Sequence, residues 1–281
     1  MRVTLLLLLL LQVTFSSLFA IGAIGPMREI YVLKFGADVT GMAAANFVVA
    51  FWSALCDPVS GFMEDTMSWY EQYFGKSWGN RAPWATISLF ALMGLIFAAY
   101  FPPEGTYVFW YLWVLLLSTF CYSTINVAYT ASVFSIYKFK KERVMTEGFG
   151  YIMKTTGLLL GFFFFVLTLS DASAGVRAIQ AFVGMGCFAL GLISMPVMRE
   201  AKPERGSKTT DRTLRTFLDT GREMLFHVPA FQVLALVNIF DGARNSMTTI
   251  IPYVHLSLKV TLSLVLLDKN SNNSVISCSS V

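Results

Sequence analysis

Charge is scarce in this chain of 281 residues, since Asp, Glu, Lys and Arg together make up only 14% of it. Soluble domains carry about 25% charged residues, so the composition excludes an ordinary soluble domain. Histidine is scarcer still, with His227 and His255 the only two in the sequence. A metal centre or a catalytic triad therefore has little from which to be built, and the sequence predicts that the protein is not an enzyme.

Cysteine is also rare, and its spacing points away from metal or redox chemistry. The four cysteines lie far apart, and the sequence contains no C-x-x-C pair and no Cys/His spacing of a metal site. Three of them stand in apolar runs, where cysteine serves as a small packing residue. We expect no cofactor bound by these residues and, with a net charge of only +4, no nucleic-acid partner.

Apolar residues are what the chain has in abundance, at 56% of its length. A membrane-spanning helix needs about 20 mostly apolar residues, and this length predicts an all-α, polytopic protein whose surroundings are a lipid bilayer. Seven spans are predicted, within Thr4–Phe35, Gly41–Met63, Pro83–Tyr100, Val108–Ile136, Phe149–Leu169, Ile179–Met198 and Phe231–Leu256. The leucine-rich start resembles a signal peptide, but apolar character continues to Ile24 and favours an uncleaved first helix.

The basic residues predict the orientation of the chain. They cluster between the fourth and fifth spans, at 138–143, and between the sixth and seventh, at 199–222. The turn Pro102–Glu104 between the third and fourth spans has none. By the positive-inside rule the N-terminus and the two basic connections are cytoplasmic.

A polar motif interrupts the second span and its exit. An acid, Asp57, stands directly before Pro58, which removes a backbone hydrogen bond at membrane depth. An acid in such a helix is costly unless it faces a cavity or a partner. The remaining motif residues, in the patterns D-P-x-x-G-x-x-x-D and G-x-R-x-P-W, are Gly61, Asp65, Gly79, Arg81, Pro83 and Trp84.

This motif resembles that of the glycoside-pentoside-hexuronide:cation symporters, the melibiose permease-like family of the major facilitator superfamily. The resemblance implies a six-helix N-terminal half over 1–198, a cytoplasmic linker over 199–228, a seventh helix over 229–258 and a divergent polar tail over 259–281. Members of the family have five further helices. We therefore expect a truncated chain that does not transport by itself and that needs a second half or another chain.

The resemblance also implies a coupling site. The family binds its cation with carboxylates from several helices, and Asp57 matches one of them, while Ser53 and Asn126 stand where the family has aspartates. Hydroxyl and amide oxygens still coordinate cations. The coupling ion expected from the resemblance is Na+ or H+, and uncoupled transport stays open as an alternative.

Other polar residues in the spans are weaker candidates for contact with a solute. Tyr122 and Tyr129 share one face of the fourth span, beside Asn126. Glu29 follows Arg28 without needing to pair with it, Lys154 is expected near the cytoplasmic end of the fifth span, and Asp241 and Arg244 are spaced to pair on the seventh. Gly157 and Gly161 form a G-x-x-x-G motif that predicts close helix packing.

Together these features predict a transporter that works by alternating access on a small solute, either a sugar or a lysolipid-like molecule. The alternative is a non-transporting membrane protein that acts through a partner chain or is an incomplete product. A membrane enzyme is a third, weaker hypothesis, because the sequence lacks the nucleophile, base and metal-ligand sets that an enzyme would need.

Overall fold

The computed structural model describes residues 2–66, 81–137 and 139–198, with positions 222 and 229. Within these ranges every regular element is helical. The elements are α1 (Arg2–Ile24), α2 (Met27–Leu33), α3 (Val39–Thr66), α4 (Ala82–Tyr100), α5 (Tyr107–Ile136), α6 (Lys140–Ser170), α7 (Ala174–Ser194) and a 3-10 turn, Met195–Met198. Helices α3 to α7 are each long and apolar enough to cross a membrane, which confirms the predicted all-α, polytopic fold.

The predicted first span is divided into two helices. Helix α1 ends at Ile24 and α2 begins at Met27, with Gly25 and Pro26 between them. Proline has no N–H for the helical ladder and clashes with the preceding turn, so the division falls where the sequence places Pro26. Helix α2 ends at Leu33. Gly36, shortly after it, has a φ of 72°, which residues with a side chain rarely adopt.

Helix α6 begins earlier than the apolar pattern indicates. The prediction starts the fifth span at Phe149, whereas α6 begins at Lys140. The residues Lys140, Lys141 and Arg143 therefore form the first turn of a helix and not a loop. Hydrophobicity marks only the part of a helix that lies in lipid, while the backbone ladder continues into the polar boundary.

Helix α1 is the centre of the bundle, in contact with α4, α5, α6 and α7. Of these four helices, α6 approaches α1 most closely, and the contact between them includes the predicted glycine motif, Gly157 and Gly161. A Cβ added at Gly157 would lie closer than 3.0 Å to the carbonyl oxygen of Phe15, and one at Gly161 would lie 2.6 Å from the backbone nitrogen of Ala23. Neighbouring backbone therefore occupies the space that side chains would need.

Helix α3 packs mainly on α5 and leaves much of its surface uncovered. It continues through Pro58 as a single helix. Two large side chains on it, Phe47 and Phe51, are 68% and 70% exposed. This arrangement places the Asp57 region at the contact between α3 and α5.

The predicted linker, seventh helix and tail lie, apart from positions 222 and 229, outside the described residues. The domain boundaries at 198, 228 and 258 consequently stay predictions.

Candidate functional site

Polar side chains from three helices form a layer in the middle of the bundle. Asp57 belongs to α3, Ser123 and Asn126 to α5, and Lys154 to α6. At 1.5 Å per residue each lies within roughly 7 Å of the midpoint of its helix. The hydrocarbon core of a bilayer is about 30 Å thick, so this layer lies at membrane depth, where polar side chains are costly without partners or a cavity.

The Asp57 carboxylate is held by α5. Its Oδ1 accepts a hydrogen bond from Ser123 Oγ. Ser60, one turn after Asp57 on α3, has its Oγ 3.1 Å from Ser123 Oγ and donates to the backbone oxygen of Asp57 at 3.1 Å. Both serines are buried, whereas Asp57 is exposed. The carboxylate is thus anchored on one side by hydroxyls and open on the other.

The residues expected to complete this site take other partners. Ser53 Oγ donates to the carbonyl oxygen of Ala50 in its own helix at 2.8 Å, and Asn126 Oδ1 accepts from Lys154 at 3.1 Å. Among the described residues, Ser123 donates to the Asp57 carboxylate and Ser60 donates to the Asp57 backbone oxygen, and our sequence reasoning missed both serines. The predicted site residue Tyr122 also lies close enough to Asp57 to interact with it electrostatically. The spacing i,i+3 from Asp57 to Ser60 and from Ser123 to Asn126 is the signal that identifies the two serines, since such residues share a helix face.

Lys154 connects α6 to α5. Its Nζ donates to Asn126 Oδ1 at 3.1 Å and lies 5.5 Å from the centre of the Tyr129 ring. Lys154 lies close to the midpoint of α6, because that helix begins at Lys140. The predicted place of Lys154 near the cytoplasmic end of the apolar span stays a prediction.

The two candidate tyrosines differ in their surroundings. Tyr129 is 1% exposed, and its hydroxyl has no hydrogen-bond partner among the described residues. It lies against α6, where a Cβ added at Gly150 would be 2.7 Å from the hydroxyl oxygen. Tyr122 is part-exposed. Of the two, only Tyr122 presents surface that a solute can reach.

Glu29 is paired with its neighbour in sequence. Its Oε1 accepts from Arg28 Nη2, and the two side chains are 24% and 13% exposed. The sequence does not require Arg28 and Glu29 to pair, yet they do, because both side chains are long enough to meet beside the backbone. The pair stands in the first turn of α2, directly after the Pro26 division.

The family motif joins the end of α3 to the start of α4. Arg81 precedes α4, with its Nε 3.9 Å from Oε2 of Glu64, a buried acid in the last turns of α3 that our sequence reasoning missed. Pro83 and Trp84 are buried in the first turn of α4.

Two further motif residues, Gly61 and Asp65, belong to the second half of α3. A Cβ added at Gly61 would be 3.9 Å from Val127 on α5, and Asp65 belongs to the last turn of α3. Gly79, Asp241 and Arg244 lie outside the described residues.

A bundle of membrane-length helices with an acid and a lysine near the midpoints of two of them is typical of a secondary transporter. Comparison with protein-family models agrees with this class. The model described as MFS/sugar transport protein matches residues 10–264, and the chain belongs to this family of the major facilitator superfamily. The protein is therefore a membrane transporter by family. A search of curated proteins found no match.

Proposed function

We propose that the protein moves a small solute by alternating access and couples this movement to a cation bound at Asp57. The proposed solute is a sugar or a lysolipid-like molecule, as in the melibiose permease-like family that the motif resembles. One observation carries the proposal: an anchored but exposed carboxylate lies near the midpoint of a membrane-length helix. Such a group is retained in lipid where it serves an ion or substrate pathway.

The oxygen atoms around Asp57 suit a proton or a sodium ion. A carboxylate and the hydroxyls of Ser60 and Ser123 supply hard oxygen ligands of the kind that small cations take. A single carboxylate also binds a proton without any further ligand. The choice between the two ions therefore rests on which gradient drives uptake.

Uptake into liposomes tests the proposal. The full chain is reconstituted, and entry of labelled mono- and disaccharides and of a short-chain lysophosphatidylcholine is followed with an inward proton gradient, an inward sodium gradient, or neither. Because the sequence predicts that the chain needs a second half or another chain, we expect saturable uptake of at least one solute, increased by one gradient, only where cross-linking shows the chain to be paired, and none by the monomer. Equal entry into liposomes with and without protein, for every solute and both gradients, would contradict the proposal.

The proposed orientation has the N-terminus and the start of α6 in the cytoplasm. Glu104 and Lys141 are both exposed and lie beyond opposite ends of α5, a helix roughly 45 Å long at 1.5 Å per residue. Single cysteines at these positions, with the four native cysteines replaced, should react with an impermeant reagent from opposite sides. We expect Lys141→Cys to be labelled from the cytoplasm only. Labelling of both from one side would contradict this topology.

A second candidate function is action through a partner chain without transport. The uncovered face of α3, with Phe47 and Phe51, favours it because a partner helix would bury that face. Cross-linking from Phe51→Cys in native membranes distinguishes the two. A defined cross-linked product together with no solute uptake supports a partner role, whereas uptake by the uncross-linked monomer supports transport.

A further inference from the structure

Helices α3 and α6 flank the pair formed by α1 and α5. Helix α3 packs mainly on α5, and α6 packs mainly on α1, which itself contacts α5. Of the five membrane-length helices in the described part of the chain, α3 and α6 have the smallest buried share. Both therefore present surface that no described helix covers.

Polar side chains connect these two flanks near the middle of the bundle. Tyr122 on α5 is part-exposed and interacts electrostatically with Asp57 on α3 and with Tyr151 on α6. At 1.5 Å per residue, each of the three lies within roughly 7 Å of the midpoint of its helix. We call the surface formed by Asp57, Tyr122 and Tyr151 the open face.

The open face is poorly suited to contact with lipid. Asp57 is exposed, and Tyr151 is 75% exposed, with a hydroxyl that makes no hydrogen bond among the described residues. Lipid tails offer these groups no partner, and polar residues at this depth are costly unless they face protein or water. The described helices supply one wall of such a surrounding, so the opposite wall has to be supplied by another bundle or segment.

The width of the open face requires more than one helix to cover it. Two interaxial distances across α5, roughly 16–20 Å, separate the axes of α3 and α6. A single helix is about 10–12 Å wide with its side chains. The predicted seventh span by itself would therefore leave one flank uncovered, and the open face fits a partner with several helices.

A second copy of the chain has several helices and matches the open face by symmetry. Two copies of one sequence insert in the same orientation, so a two-fold axis between them is parallel to the membrane normal. Rotation about this axis keeps the depth of every residue and exchanges the two flanks. Helix α3 of one copy then faces α6 of the other, with Asp57 opposite Tyr151 at a similar depth.

The two flanks have complementary hydrogen-bonding groups. The α3 flank offers the Asp57 carboxylate, which is an acceptor when ionised. The α6 flank offers two donors, the Tyr151 hydroxyl and the part-exposed Lys154 ammonium. Glu147 on α6 acts on Lys154 and offsets part of its charge, so the Tyr151 hydroxyl is the donor that best matches the open side of Asp57. A surface with one acceptor flank and one donor flank is complementary to a copy of itself.

We propose that a second copy of this chain covers the open face in a parallel two-fold dimer, and that Tyr151 of the second copy donates to Asp57. The second copy thus contributes a residue to the site at Asp57, which a single copy leaves open. Formation of the dimer is independent of transport. The further point that the two open faces together enclose the solute path rests on the proposed function.

Directed cross-linking in liposomes tests the arrangement of the two copies. Two differently tagged full chains, with the four native cysteines replaced, carry Ser53→Cys and Thr155→Cys, at exposed positions one turn from Asp57 and Tyr151 towards the same side of the membrane. In the control, Phe90→Cys replaces Thr155→Cys, because Phe90 is exposed near the midpoint of α4, which packs on α5 and α7. We expect a product with both tags from the first pair and only background from the control.

A substitution tests the contact that Tyr151 makes. A two-fold dimer contains this contact twice, and a hydrogen bond to a charged group is among the stronger ones, so Tyr151→Phe should weaken dimerisation about tenfold or more. Photobleaching steps of labelled chains, counted over a series of lipid dilutions, measure the effect. Thr156→Val is the matched control, since this exposed hydroxyl on α6 bonds to Ile152 in its own helix and lies about 140° around the helix from Tyr151.

Several outcomes would overturn the inference. Cross-linking of Ser53→Cys with Thr155→Cys at the control level would exclude the arrangement, and dimerisation of Tyr151→Phe equal to that of the unchanged chain would exclude its contact. Single photobleaching steps at every dilution would exclude the dimer. Reaction of Ser53→Cys in such a monomer with a membrane-soluble maleimide would show an uncovered face, and protection would show that another segment of the chain covers it.

Uptake by the same liposomes separates this inference from the proposed function. A cross-linked dimer that takes up none of the solutes would count against transport and leave the dimer intact. Uptake by a chain that stays monomeric at every dilution would overturn the dimer and leave transport intact.

Discussion

A Gly157→Leu substitution is expected to abolish the folded protein. A Cβ at this position would lie closer than 3.0 Å to the carbonyl oxygen of Phe15, so the obstacle is backbone and not a movable side chain. Overpacking a core with flexible neighbours costs about 1–3 kcal/mol, and here α1 and α6 would have to separate. A native protein is stable by only about 5–15 kcal/mol. The monodisperse peak in size-exclusion chromatography should be lost.

Gly148 provides the matched control on the same helix. A Cβ added there meets nothing within 4 Å, and the position is exposed. Leucine has the higher helix propensity at both positions, so any difference between Gly157→Leu and Gly148→Leu reports packing alone. Equal yields and equal melting temperatures for the two variants would contradict the close approach of α1 and α6.

The contact at the glycine motif of α6 could be predicted only in part from the sequence. The spacing of Gly157 and Gly161 correctly predicts a close helix contact, but it does not identify the partner helix. The partner is α1, through Phe15 and Ala23. The complementary surface on α1 has a glycine of its own, since a Cβ added at Gly22 would lie closer than 3.0 Å to the carbonyl oxygen of Leu158. A small-residue pattern describes one surface only, and nothing in it states which other surface it meets.

Boundaries are harder to predict than spans because hydrophobicity and helicity end at different residues. The apolar pattern places the start of α4 within one residue of Ala82, where Pro83 also favours a helix start. It misses the start of α6 at Lys140 because the first turns of that helix are polar.

The candidate coupling site could be predicted in part. An acid before a proline in an apolar run marks Asp57 by itself, since such a residue is expensive in lipid. The resemblance implies Ser53 and Asn126 as its partners, whereas the actual contacts depend on which helix faces meet. Because α3 packs on α5, Ser123 meets Asp57 and Asn126 turns towards Lys154.

The second large effect is expected for Asp57→Asn, which should uncouple transport without stopping it. The amide retains the shape of the carboxylate and can still accept from Ser123, but it neither titrates nor carries the charge that a cation requires. A tenfold gradient of one coupled cation supports about tenfold accumulation of solute, equal to about 1.4 kcal/mol. In liposomes the variant should equilibrate solute and lose that accumulation.

Two serine variants separate coupling from a merely structural role of Asp57. Ser123→Ala removes the hydroxyl that anchors the carboxylate, and we expect it to shift the pH or sodium dependence of uptake. Ser53→Ala is the matched control, because that hydroxyl bonds to Ala50 in its own helix and leaves Asp57 untouched. If Asp57 served only to join α3 to α5, both Asp57→Asn and Ser123→Ala would lower the melting temperature and leave accumulation per folded molecule unchanged. Accumulation by Asp57→Asn with unaltered pH and sodium dependence would therefore exclude coupling at this residue, whatever the stability of the variant.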